Sequence, residues 1–427
     1  MRIRSLPDQN QVWKIEQAGI GPIDPRIRHG NPGDLFWLWF AGNLSFTYIV
    51  IGAVVWSYGL SLWQAVLALG AGVLSFLAIG YLGLPGTLTG LPTMAYSARY
   101  FGRRGNRLMA GVSWLNMVGW ETVVLIIASF TLATLLHLVL GMAPTAFWLL
   151  IALAISAMLE LSFAFLGHAT IEYVQKWVSY IFGFLTFVVL LMLLPHVNWS
   201  AVLSHTPGPW LTAFIPAITV VVAVSALSWV TTASDYTRYL PQKMRPGRIV
   251  AATTWGAIIP TLLLMLVGLL LGESAPALAA ATNPVAFLLH WLPRWAEIPY
   301  LMVTMIGILA GGVLCAYSSG LSLLATGIKI RRSRTIFVDA ILSLAATLYV
   351  LLISQGFLNH FEGFLSIIAA LLAPWVAIAL YNLRPVPTAP AWVAMGAWFI
   401  GAFIALFTTS TAIFTGPGPS ASLRYPR

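Results

Sequence analysis

Apolar runs the length of a membrane-crossing helix follow one another through nearly the whole chain, and no other feature of the sequence limits its fold as strongly. A helix needs about 20 apolar residues to cross the roughly 30 Å of hydrocarbon in a bilayer. Such runs occupy residues 36–57, 62–84, 108–138, 146–166, 170–195, 210–233, 249–271, 298–328, 336–354, 361–382 and 390–412. Inside lipid every backbone N–H and C=O must find its partner within the protein, so these runs are helices. The expectation is an all-α polytopic membrane protein with about eleven transmembrane helices. A twelfth would have to follow Phe414, where only a short polar tail remains, and the residues leave that point open. Composition agrees. Of 427 residues 59% are hydrophobic and 8% charged, whereas soluble domains carry roughly a quarter charged residues.

The formal net charge of +10 would suggest a nucleic-acid partner in a soluble protein. Here the basic residues sit in short loops between apolar runs, where they set orientation instead, and no nucleic-acid partner is expected. With the N-terminus inside, the loops on that side hold Arg99, Arg103, Arg104 and Arg107; Lys176; Arg238, Lys243, Arg245 and Arg248; Lys329, Arg331, Arg332 and Arg334; and Arg384. Arg2, Arg4, Lys14, Arg26 and Arg28 precede the first run. Of the 22 basic residues, only Arg294, Arg424 and Arg427 fall on the other side. Sorting this sharp predicts a multi-pass protein of the cell membrane with a cytoplasmic N-terminus. The polar stretch Met1–Asp34 shows no cleavable signal pattern. A single cysteine, Cys315, leaves no internal disulfide and no cysteine-rich metal site. The outer loop from about 272 to 297 carries Pro276, Pro284, Pro293 and the apolar run Val285–Leu292. It reads equally well as a re-entrant cap and as a passive connector.

Polar groups inside lipid are costly, so the few within these runs are the first candidates for function. Two carboxylates, Glu121 and Glu160, sit well inside. Neither has a basic residue within a helical turn, so each is most cheaply kept as the neutral acid, for proton coupling or for a structural hydrogen bond. The first run carries Ala41-Gly42-Asn43-Leu44-Ser45, and the sixth Ser225-Ala226-Leu227-Ser228-Trp229-Val230-Thr231-Thr232. Gly leaves a helix readily, and Asn competes with the backbone for hydrogen bonds. Close helix packing through small residues would use a similar composition. Two such stretches, five runs apart, point to discontinuous helices around a transporter's binding site. In the third run Asn116, Trp120 and Val124 share one helical face. An indole at mid-span offers a flat apolar platform and one N–H, suited to stacking a planar ring. The histidines are scattered, and no Ser-His-Asp set, metal-spaced cluster or phosphate-binding loop is present. An intramembrane enzyme or an ATP-driven pump lacks its parts here.

Several stretches together resemble the nucleobase:cation symporter-1 family, and most of all its purine-cytosine permease branch. They are FWLWFAGN (Phe36–Asn43), GLPTMAYSARYFGRRGN (Gly90–Asn106), Gly119-Trp120, SWVTTASDYTRYLP (Ser228–Pro241) and AYSSGLSLLATG (Ala316–Gly327). The resemblance implies a LeuT-like fold of two inverted five-helix repeats. The chain then divides into an N-terminal segment (1–34), a ten-helix transport core (35–385) and a C-terminal helix with a short tail (386–427). It implies that the substrate ring stacks on Trp120. Further contacts would come from around Asn43 and Asn116, from Ser225, Ala226 and Trp229, and from near Tyr317. Asp235 and Arg238 would form an ion pair at the cytoplasmic gate.

Two departures from the family pattern carry weight. Relatives bear an amide one turn after the stacking Trp and another in the eighth helix; here stand Val124 and the amide-free Leu314–Tyr317. Sodium-using relatives also ligate the ion with eighth-helix hydroxyls, which Gly307–Gly311 lacks, leaving only carbonyls such as those around Gly42 and Ser45. The expectation is therefore a monomeric secondary active transporter, without a cofactor, importing a small planar nitrogen heterocycle such as a purine or cytosine by alternating access. Protons, titrating at Glu121, are expected in place of sodium. Two alternatives stay open: a LeuT-like transporter of an amino acid or compatible solute, and a sodium-coupled symporter of a vitamin-precursor pyrimidine or a hydantoin.

Overall fold

The first apolar run does not form one helix. In the computed structural model, which describes residues 10–408 apart from 144, 282, 355–356 and 384–388, it gives α1 (Pro32–Gly42) and α2 (Thr47–Ser57), bent by 64°. Pro32 opens α1, and the Asn31 side chain accepts the N–H groups of Gly33 and Asp34, a start that relieves otherwise unpaired donors. Asn43 ends α1. Its Nδ2 donates to the Trp39 carbonyl at 2.8 Å, and its Oδ1 accepts from the Tyr48 hydroxyl at 2.7 Å. One amide thus fastens both sides of the break.

The later runs form α3 (Leu62–Thr89), α4 (Thr93–Leu140), α5 (Ala146–Leu166), α6 (His168–Leu193), α7 (Trp210–Thr237) and α8 (Pro246–Leu271). Then follow α9 (Arg294–Ala325), α10 (Arg332–Ser354), α11 (Phe357–Tyr381) and α12 (Ala391–Thr408). Among the described residues nine helices are long and apolar enough to cross a membrane, ten with α1 and α2 as one broken span, and α12 adds a shorter apolar helix. There are no strands among them. Each expected run therefore corresponds to a helix or to the broken pair. α4 differs most in extent, because a first segment begins at Thr93 and Gly102 (φ 68°) turns the chain into the spanning part. Arg2, Arg4, Arg384, Arg424 and Arg427, the last residues of the expected 390–412 run and any twelfth helix lie outside the described residues.

α9 is the axis of the protein: 78% of its apolar stretch is buried, against 28% for α10 at the periphery. It packs along α4 and touches α1, α5, α6 and α10. α8 lies against both halves of the broken span. There Gly52 and Gly268 are required, since a Cβ on either would strike the facing backbone carbonyl of Met265 or Ile49. The loop after α8 folds inward rather than passing by. Pro276–Ala280 packs on α2 and Pro284–Leu289 on α4, Leu278 and Leu288 are fully buried, and the Tyr300 hydroxyl donates to the Val285 carbonyl at 3.0 Å. It forms a lid over the end of the molecule away from the N-terminal segment.

Candidate functional site

The Ser225–Thr232 stretch does not unwind, but its winding changes. A π turn at Ala223–Leu227 is followed by a 3-10 turn at Val230–Thr232. Such a widening displaces carbonyls from the helical ladder. Ser228 Oγ meets those of Ala223 (2.9 Å) and Val224 (3.1 Å), and Asn116 Nδ2, reaching across from α4, donates to the Ser228 carbonyl at 3.0 Å.

Between this turn, the α1–α2 break, α4 and α9 lies a narrow cavity of about 30 Å³. Gly42, Ser45, Thr47 and Tyr48 line it from the break, and Trp120 and Val124 from α4. Val224, Ser228 and Trp229 come from α7, and Ile308, Gly311 and Cys315 from α9. Trp120 is half-buried and meets Phe364 of α11 edge-on, ring centroids 5.9 Å apart. Trp229 is braced edge-on by Trp39 at 5.6 Å. Among the described residues that line the cavity there is no Asp, Glu, Lys, Arg or His. Two indoles, four hydroxyls and the Cys315 thiol make up its chemistry.

Of the residues singled out from the sequence, Trp120, Trp229, Gly42 and Ser45 meet in this wall. Asn43, Asn116, Ser225, Ala226 and Tyr317 are buried but lie outside it. The Nδ2 groups of the two asparagines donate to backbone carbonyls, and Ser225 and Ala226 pack within the π turn. Tyr48, Ile308 and Cys315 line the wall without having been singled out. Ile308, Gly311 and Cys315 follow the i, i+3, i+7 spacing of one helix face, the signal that marks them as a set.

The free carbonyls at the break face bare α9 backbone. A Cβ on Gly311 would sit 3.1 Å from the Gly42 carbonyl oxygen, and one on Gly307 would overlap that of Leu44. Ser45 Oγ is taken up locally, donating to Thr47 Oγ1 at 3.0 Å. Beside the cavity wall, against α9, Glu121 and Glu160 are fully buried, and among the described residues neither carboxyl makes a hydrogen bond or an ion pair. Glu160 presses on the backbone of Gly312, where a Cβ would fall 2.6 Å from its carboxyl carbon. A third intramembrane carboxylate, Asp339 of α10, goes unremarked in the sequence. It accepts from Trp114 Nε1 at 2.6 Å and Ser319 Oγ at 2.8 Å.

The expected Asp235–Arg238 ion pair is not formed. Asp235 instead accepts the backbone N–H of Thr93 at 2.8 Å, holding the first turn of α4. Arg238 pairs with Glu16 of the N-terminal segment, Nη2 to Oε1 2.6 Å, and both side chains are at most 1% exposed. The same Oε1 accepts the Tyr239 hydroxyl at 2.6 Å and the Tyr317 hydroxyl at 3.2 Å; Oε2 accepts the His168 N–H at 3.0 Å, with Arg332 Nε 3.8 Å away. Burial alone would raise the Glu16 carboxyl, but Arg332 and Arg238, aided by these hydrogen bonds, hold it below the usual glutamate range. Further along the same segment, buried Arg28 donates to the carbonyls of Ile23 and Thr87. Residues 10–31 therefore tie α3, α9, the start of α10 and the segment after α7 together on that face.

Comparisons with known proteins point one way. The family model described as "Permease for cytosine/purines, uracil, thiamine, allantoin" matches residues 22–384. YxlA of Bacillus subtilis (strain 168), a protein of the purine-cytosine permease type, is 27% identical over 86% of this chain and 79% of its own length. The purine-cytosine permease FCY21 of Saccharomyces cerevisiae is 24% identical over 58% of this chain and 45% of its own. Among solved structures, the nucleobase-cation-symport-1 transporter Mhp1, closed with bromovinylhydantoin bound, matches with a TM-score of 0.68 at 17% identity, covering 91% of this chain and 92% of that one. Its inward-facing form gives 0.64 at 16% identity, over 93% and 92%.

Proposed function

From its membership of the family of permeases for cytosine/purines, uracil, thiamine and allantoin, to which this chain belongs, we propose that it imports a neutral planar nitrogen heterocycle, such as a purine or cytosine, by alternating access. That it is a multi-pass membrane transporter with a LeuT-like fold, and not an enzyme, follows from the family and the fold. The finer reading rests on the cavity wall. An ionised ligand would need a partner in a site this dry, and among the described residues no charged side chain lines it. Trp120 supplies the stacking face, Trp229 closes the other side, and the hydroxyls of Tyr48 and Ser228 meet ring nitrogens and oxygens. An amino acid or other zwitterion finds nothing to neutralise it, so neutral bases should compete for uptake where amino acids do not. The cavity is closed by one chain, and the transporter acts as a monomer.

Protons, rather than sodium, drive accumulation in this reading. A hard cation wants a shell of oxygens, and the Gly307–Gly311 face brings none to the carbonyls at the break. Glu121, adjoining Trp120 and buried with no hydrogen-bond partner among the described residues, is the titrating group: dry it keeps its proton, and wetted it releases it. In proteoliposomes, uptake should follow an imposed pH gradient and ignore a sodium gradient. Glu121→Gln should bind ligand yet fail to concentrate it; sodium-driven accumulation, or normal concentration by the variant, would overturn the assignment.

The strap of residues 10–31 faces the cytoplasm, as the basic loops predict. Arg104 is exposed on that face. A cysteine placed there in a Cys315→Ser background should react with an impermeant maleimide only after cells are permeabilised. Labelling of intact cells would reverse the orientation.

A further inference from the structure

α3 and α8 pack along one another. At Gly80 they are so close that a Cβ would lie 2.7 Å from Thr254 Oγ1 and 3.0 Å from the Val250 carbonyl. Beside that contact Leu74, Leu77 and Tyr81 of α3 and Trp255 of α8, each 41–54% exposed, flare outward. Together with Val250 and Ala251 they enclose a groove of about 460 Å³ on the lipid-facing surface. Along α8 the groove runs from Pro246 to Ile258. At about 1.5 Å per residue that is roughly 18 Å, close to the ~15 Å depth of one leaflet's hydrocarbon.

The groove is not apolar to its end. It terminates at Pro246 and Gly247, the first turn of α8, beside Lys243, Arg245 and Arg248. All three basic side chains are exposed, and none is in an ion pair among the described residues. A one-leaflet apolar trough capped by three unneutralised cations matches one class of molecule on both counts. We propose that this groove is a binding site for an anionic phospholipid, with an acyl chain along Leu77, Tyr81 and Trp255 and the phosphate on Lys243, Arg245 and Arg248. A zwitterionic lipid fills the trough equally well but presents its own cation to the same three residues. The preference therefore lies in the headgroup, and the groove supplies the position.

The test is native mass spectrometry of the intact chain with phosphatidylglycerol and phosphatidylcholine of matched acyl chains. The wild-type protein should retain phosphatidylglycerol in preference by roughly tenfold or more. The triple change K243Q/R245Q/R248Q should abolish the preference. Ala251→Trp, which fills the trough and leaves every charge in place, should abolish it too. Quenching of tryptophan fluorescence by a brominated-chain phosphatidylglycerol should fall in Trp255→Phe, which locates the chain independently of the mass measurement. Equal retention of the two lipids by the wild type would mean annular lipid only and would overturn the proposal. A preference surviving the triple change would place the headgroup elsewhere, and one surviving Ala251→Trp would take the chain out of the groove; either result overturns it.

Discussion

Replacing Trp120 with alanine will weaken binding of a planar heterocycle by roughly 5- to 150-fold, the ~1–3 kcal/mol typical of losing an aromatic platform under a base. The effect should be large because α4 brings no other ring to the cavity. Val124, one turn on, is aliphatic, and the neighbouring ring, Phe364, meets Trp120 by its edge instead of covering the cavity. The indole is also held in place. A Cβ on Gly119 would overlap the Phe364 ring, so α11 packs hard against this turn of α4. Trp120→Phe should keep part of the affinity, because a smaller π face remains. Calorimetry on purified protein with a panel of neutral nucleobases measures both variants. Wild-type affinity in a folded Trp120→Ala protein would move the platform elsewhere, with Trp229 the next residue to test.

How far the sequence could be read follows from how local each cause is. The spans were legible because lipid forces a helix on every long apolar run, whatever it packs against. The break was legible because Asn43 makes it with groups four residues before and five after. Trp120 stood out as an indole far from either membrane surface. The gate was different in kind. Family likeness suggests a pair between Asp235 and Arg238, three residues apart, yet each is claimed by a distant partner: Thr93 for one, Glu16 for the other. Glu16 sits 222 residues from Arg238 in a polar segment with no local pattern to mark it. Tyr317 illustrates the same limit. Family likeness places it near substrate, while its hydroxyl is engaged with Glu16 and Arg238. Only tertiary contacts separate the two roles.

The lock built on Glu16 yields the largest expected effect. Glu16→Gln keeps the shape of the side chain and removes its charge, leaving Arg238 and Arg332 buried at 0% and 2% side-chain exposure with no carboxylate between them. Breaking a buried ion pair from one side costs about 3–5 kcal/mol, a large part of the stability of an ordinary domain. In the proposed alternating-access cycle that strain is relieved without unfolding, by opening this face and letting water reach the guanidinium groups. The native Cys315, which lines the cavity and is 3% exposed, reports the opening. An impermeant thiol reagent applied from the side of the N-terminal segment should label Cys315 on the order of 100-fold faster in Glu16→Gln than in wild type, since each 1.4 kcal/mol shifts the population tenfold. Acid should mimic the change in the wild type. Because the closed state holds the Glu16 carboxyl below its ordinary value of 4.5, it binds fewer protons there than when open. Its contribution to closure is complete above about 4.5 and is lost as pH falls through the lower, closed-state value. Labelling of the wild type should therefore rise in that window and labelling of Glu16→Gln should not. A variant that melts like wild type and labels at the wild-type rate would show that the lock does not govern access.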